Sequence, residues 1–125
     1  MAAPNIVGVT TITGKTTYLS LADTSATVLL SNAADSGKVF KVNSIIVAND
    51  DGSNSADITV SVNDAAAGGG TAYKLAHTIA VGADTTLVVI DKASSIYLEE
   101  DKSIVCTASA GGDLDVVCSY EEISS

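Results

Sequence analysis

The sequence predicts an all-β fold, an antiparallel, jelly-roll-like β-sandwich of about eight to ten short strands with no substantial helix. Three observations carry this. Runs rich in Val, Ile and Thr recur at spacings of roughly ten residues. Gly, Asn, Asp and Ser separate the runs, and the single proline, Pro4, stands before all of them. No window shows a helical period; the best candidate, Ser31 to Ser36, is short and is closed by Gly37.

The strand-like runs cover residues 6–13, 16–21, 26–30, 39–49, 57–63, 72–80, 85–90, 95–98, 103–109 and 114–121. The first two are divided by Gly14-Lys15, read as a hairpin turn, which makes residues 1–13 an N-terminal arm or strand. Runs 39–49 and 57–63 read as a hairpin turned at Asp50-Asp51-Gly52. In the second arm Ile58, Val60 and Val62 alternate with Asp57, Thr59, Ser61 and Asn63, so one face is buried. The first arm differs. Phe40, Val42, Ile46 and Ala48 form one apolar face, and Ile45 and Val47 form a second on the other side. A sandwich strand facing water buries one face, so the surplus face predicts burial against something else, either covering loops of the same chain or another chain. Val28-Leu29-Leu30, Leu87 to Ile90 and Ile6-Val7 with Val9 repeat this two-sided pattern.

The last two runs also read as a hairpin. Setting Cys106 opposite Cys118 puts Ile104 opposite Tyr120 and Ala108 opposite Val116, with Gly111-Gly112-Asp113 as the connection. Both cysteines are expected to be reduced core thiols. Ala65 to Gly70, an alanine–glycine tract, reads as a flexible loop, either a mobile contact loop or a tolerated insertion.

The chain has 125 residues, which fits one domain over 1–125. A domain of this size buries roughly two-thirds of its unfolded surface, enough for a core without staples. That core is built from small branched side chains, since there is one Phe, four Tyr and no Trp. Fifteen acids face six lysines and no arginine, for a net charge of −9. Phosphate contacts need cations, so this balance argues against nucleic acid and anionic membranes as partners. No stretch reaches the roughly 20 apolar residues of a membrane-spanning helix. Met1 to Asn5 has no basic leader region, which predicts synthesis in a cytoplasm.

Chemical motifs are sparse. Gly14-Lys15-Thr16 ends like a phosphate-binding loop, but the preceding glycine, Gly8, is wrongly spaced and the intervening residues are β-branched. Asn49 to Asn54 has the composition of a calcium loop without its alternating ligands or distal glutamate. His77, the single histidine, shares a strand face with Tyr73, Leu75 and Ile79 and has no nucleophile signature beside it. Glycosidase and glycan-binding readings lack aromatic platforms. The sequence therefore predicts no enzyme and no cofactor.

The stretches Gly37-KVFKVNSIIVAN-Asp50, Thr78-IAVGADTTLVVIDKASSIYLEEDKSI-Val105 and Gly112-DLDVVCSYEEI-Ser124 resemble small virion structural proteins of tailed bacteriophages. The resemblance lies in strand order and turn style. It implies a capsid decoration (cement) protein that binds the head surface and stabilises capsomer junctions, or else a neck or tail component. It also implies the major capsid protein or other virion subunits as partners, and a homo-oligomer, with a trimer favoured by the resemblance alone. A receptor- or glycan-binding sandwich module is the alternative from another class. The expected assembly contacts are Ile6, Val7, Val9 and Ile12 in the arm and Ile45 and Val47 in the long central strand.

Overall fold

The computed structural model describes residues 4–124. Nine strands form two antiparallel sheets: β1 (Thr11–Leu21), β2 (Thr27–Asn32), β3 (Lys38–Asn49), β4 (Ala56–Asn63), β5 (Ala72–Val81), β6 (Thr86–Ile90), β7 (Ile96–Leu98), β8 (Lys102–Ala108) and β9 (Leu114–Ser124). One sheet has the order β1-β9-β3-β6, with β7 also paired to β3; the other has the order β2-β8-β4-β5. β6 pairs with one end of β3 and β7 with the other. The two are halves of one edge strand, broken by a short 3-10 turn over Lys92–Ser94 that the Asp91 carboxylate caps through the amides of Ala93 and Ser94. Counted this way, eight strands make two four-stranded sheets, the jelly-roll arrangement.

This topology places strands by partners distant in sequence. The chain crosses from one sheet to the other at every connection except β4 to β5 and β6 to β7. Two expected hairpins are therefore corrected. β3 and β4 lie in different sheets, and so do β8 and β9. Cys106 pairs with Thr27 and Val60, and Cys118 with Thr17 and Ile45. A hairpin and an arch between sheets carry the same alternation, because in both each strand turns one face to the core. Gly14-Lys15 is also no turn: it lies inside β1, with Gly14 opposite Glu121 and Lys15 opposite Tyr120.

The two-sided pattern of β3 has a different cause from the one expected. Its register with β9 shifts between Val42 and Ser44, leaving Asn43 as an extra residue. Such a bulge inverts which parity faces inward. Phe40 and Val42 point into the sandwich before it, and Ile45, Val47 and Asn49 after it, all buried. Ile45 and Val47 are wholly enclosed between the sheets, at 0% exposure, and cannot touch another chain. They belong to a core with Leu21, Leu30, Ile58, Val60, Leu98, Ile104, Leu114 and Val116. Both thiols are in it, and burial pushes each up to about 12, with the Cys118 charge adding to the effect on Cys106.

Three strands end on a buried asparagine that holds the loop after it. Asn32 Nδ2 donates to the carbonyls of Lys38 and Leu98, and its Oδ1 accepts from Ser36 Oγ. Asn49 Nδ2 donates to Asn54 and Val81, and its Oδ1 accepts from the Asp51 amide. Asn63 Nδ2 donates to Gly68, and its Oδ1 accepts from Ser61 Oγ. Each amide pairs with backbone of the loop after its strand.

Candidate assembly surface

The outer faces of the two sheets differ, and the difference follows from pairing. On the sheet built around β3, the registers line up Tyr18, Val117, Ile46 and Val88 in one row across β1, β9, β3 and β6. All four lie opposite in parity to the core residues beside them. Tyr18 is 75% and Val88 55% exposed, and Val117 and Ile46 are half-buried between them. A polar row flanks this one: Ser20, Asp115, Ala48 and Thr86, with Ser20 Oγ donating to Asp115. On the other side a hollow opens at the β3 bulge, lined by Asn43, Ser44, Ile46, Val88 and Asp91 among others. Asn43 Oδ1 is shut off from solvent and has no donor.

A second apolar group lies on this outer face, where Ile12, Ile123 and Val39 are in register across β1, β9 and β3. Val39 and Ile123 are buried, and Ile12 is exposed. Pro4 and Ile6 share a hollow with Val39, Tyr97 and Glu99, so the arm crosses over the sheet here. The Val7 amide donates to Asn5 Oδ1 and the Gly8 amide to the Asn5 carbonyl, a tight turn that leaves Val7 at 93% exposure. Residues 4–10 form no strand, and the part of the expected arm over residues 1–3 lies outside the described residues. Of the six expected contact residues, Ile6, Val7 and Ile12 are exposed and Val9 is half-buried on this side of the molecule, whereas Ile45 and Val47 are inside. The row through Ile46 was missed. Its signal was the polar pair Asn43-Ser44 in the middle of an apolar run, where the parity of the apolar residues changes.

The sheet built around β8 covers part of its outer face with its own chain. The tract expected to be a flexible loop packs down onto Val28, Val105, Ser103 and Asn63 as a short 3-10 turn over Ala66–Gly68. The Gly68 amide donates to Ser103 Oγ, which in turn donates to the Ala65 carbonyl. The Ala67 amide donates to Ser31 Oγ and the Ala66 amide to Asp101. Ser103 is fully buried as a result, and Val105 is 7% exposed. Gly68 sits at φ +79°, where a Cβ would press on Val28 and Val105. Gly70 sits at φ +71°, where a Cβ would lie 2.1 Å from Asp64 Oδ1.

At one end of the sandwich Asp51 accepts from the amides of Ser53 and Asn54, which hold its carboxyl at about 2. Partial desolvation and the charges of Asp51 and Asp50 push the Asp113 carboxyl up. Among the described residues no three His, Cys, Asp or Glu side chains come together as a metal-binding group. His77 is exposed on β5, in a shallow apolar hollow with Leu75, Ile79 and Val88. Among the described residues no helix is long and apolar enough to cross a membrane.

No family model matches the chain, and no curated protein matches its sequence. Solved structures do match its fold. A chain from Bacillus endospore appendages, described as a family of disulfide-linked pili, superposes with a TM-score of 0.55 at 16% identity, over 94% of this chain and 91% of that one. A chain of the infectious bursal disease virus Gx strain gives 0.53 at 12% identity, over 93% of this chain. The present chain spans only 33% of that viral chain. A chain of the capsid of the Helicobacter pylori bacteriophage KHP30 lies further off, at 0.48 and 11% identity, over 93% and 90% of the two chains. At these identities what is shared is the fold, an all-β jelly-roll sandwich also found in virus particles and in a pilus.

Proposed function

We propose that this chain is a non-enzymatic structural protein of a bacteriophage virion, made in the host cytoplasm. More narrowly, it is a capsid decoration (cement) protein that binds the head surface and stabilises capsomer junctions. The observation that carries the reading is the uncovered apolar row Tyr18–Val117–Ile46–Val88, on a fold whose opposite outer face is partly covered by its own loop. Fully burying one such aliphatic side chain is worth roughly 1.5–3 kcal/mol, so a partner covering the row gains several kcal/mol. Ile6, Val7, Val9 and Ile12 extend the contact at the other end of the same face. Asp50 and Glu99 are exposed and would meet solvent or lysines of the major capsid protein.

A pilus subunit linked by disulfides is disfavoured, because Cys106 and Cys118 are both buried and free. A neck or tail component and a receptor- or glycan-binding module differ from the decoration reading in where the chain sits and what it binds. The test is immunogold labelling of purified virions together with co-sedimentation of the purified chain with heads stripped of surface proteins. Label on the head, and co-sedimentation lost in Val88→Asp, are expected. Label confined to neck or tail, or binding to host polysaccharide with none to heads, overturns the decoration reading.

A further inference from the structure

A jelly roll has four sheet edges, and this chain defends three. β2 is bulged between Val28 and Leu30 and flanked by the 64–71 loop. β5 carries two register shifts against β4, with Thr78 at positive φ. The β6–β7 edge carries a bulge and is then broken by the 3-10 turn over Lys92–Ser94. Such devices keep an edge from pairing with another chain. β1 has none of them. Its 11 residues pair with β9 without a single shift, and with no other strand. Among the described residues of the arm before it, Pro4 and Ile6 lie across the outer face beside Val39 and Tyr97, away from this edge.

We propose that β1 is a homotypic pairing edge, at which a second copy of this chain adds its own β1 antiparallel and joins two β3-containing sheets into one. The occupant is argued from the strand itself. In a chain of net charge −9, TITGKTTYLSL carries no acid, so two copies meet here without carboxylate repulsion. In an antiparallel pair, opposed residues share the same face and the same hydrogen-bonding direction. Self-pairing is therefore centred on a residue. Centring on Lys15 sets two ammonium groups against each other, which is unfavourable. Centring on Thr16 matches the strand along its whole length, places Lys15 beside Thr17 of the second copy, and lays the exposed Tyr18 ring over Gly14 of the second copy. An aromatic ring covering an edge glycine from the opposite strand is a favourable cross-strand pair.

Because Thr16 would face itself across the two-fold axis, charge tests the geometry directly. Thr16 is exposed, so Thr16→Lys and Thr16→Glu are each expected to fold, checked by thermal unfolding. Sedimentation equilibrium of the purified chain is expected to give a dimer. Each variant alone is expected to raise the dimer Kd by about tenfold or more through like-charge opposition, and an equimolar mixture of the two to regain the dimer. A wild-type chain that stays monomeric, or that forms a trimer, overturns the proposal. So does a dimer indifferent to both variants, or a mixture that fails to recover. No virion is involved, so this result stands apart from the head-binding reading.

Discussion

The two outer faces of the sandwich handle the same problem in opposite ways. Each sheet carries apolar residues on the side away from the core: Val28 and Val105 on one, Tyr18, Val117, Ile46 and Val88 on the other. The 64–71 loop packs onto the first pair, burying Val105 and leaving Val28 38% exposed; Asn63 donates to the loop, and Ser31, Ser103 and Asp101 accept from its amides. The second row has no such cover, and its sheet ends on the one undefended edge. The chain thus covers part of one surface by itself and leaves the apolar row of the other uncovered. Apolar residues on an outer face are not in themselves evidence of a partner; what matters is whether the same chain returns to cover them.

Substitutions can break this contrast, and the largest effect is expected inside β3. Ile45→Ala should cost about 2–5 kcal/mol, because it opens a cavity in a closed core. Ile46→Ala, one residue on, should cost well under half as much, because that side chain faces outward past the bulge. Chemical denaturation of both variants checks this, and equal losses would mean that the bulge does not invert the strand.

Next is the self-covered face. Gly70→Ala forces a side chain into a positive-φ site and against Asp64, with an expected cost of about 1–3 kcal/mol. If the loop is the lid described, hydrogen exchange at the Gly68 amide should accelerate in this variant.

On the uncovered face the expectation reverses. Val88→Asp should leave the unfolding midpoint nearly unchanged, since surface changes usually stay within about 0.5 kcal/mol, while attachment to heads is lost. A large loss of stability would show that the row already has a cover in the free protein.

Near neutral pH the smallest effects come from titration. Burial raises both thiols from 9.0 to about 12, so they stay neutral in the folded state while the unfolded chain ionises. Their contribution is complete below pH 9 and declines as pH rises toward 12. Native protein should resist alkylation at pH 8 and label at two sites once unfolded. Asp51 shows the opposite sign. Its turn favours the carboxylate, so that contribution is present above pH 3.8 and lost as pH falls toward 2. Asp51→Ala should remove this part of the acid sensitivity in a pH series of melts.

Most strands were legible in the sequence, apart from the runs 6–13 and 16–21, in whose place stands the single β1 from Thr11; the strands' partners were not. The run 39–49 became β3, Lys38–Asn49, and 95–98 became β7, Ile96–Leu98, because alternation and turn residues are local signals. Whether 57–63 returns beside 39–49 or crosses to the other sheet leaves no local trace, and the crossing was read as a hairpin. The buried asparagines were hidden for the same reason. Asn32 stood just after the run 26–30 and Asn49 closed the run 39–49, and only the arch over them makes their amides interior clamps. Among the expected contact residues, Ile6 and Val7 stand out in the sequence as surplus apolar residues, and both are exposed. The row through Ile46 comes from four strands spread between Tyr18 and Val117, so pairing alone assembles it.

β9 lies between β1 and β3 and is the sole bridge joining β1 to its sheet. Its residues, 114–124, are far in sequence from the strand they hold in place. During synthesis β1 must therefore wait, unpaired along both edges, until β9 has emerged. A fold closed by such distant contacts forms slowly compared with one built from neighbours, and half-made chains expose two edges of β1 where finished ones expose one. A cell making many copies at once would hold many such strands open together, and the acidic charge carried by the rest of the chain would then act during folding, keeping unfinished copies apart until β9 arrives.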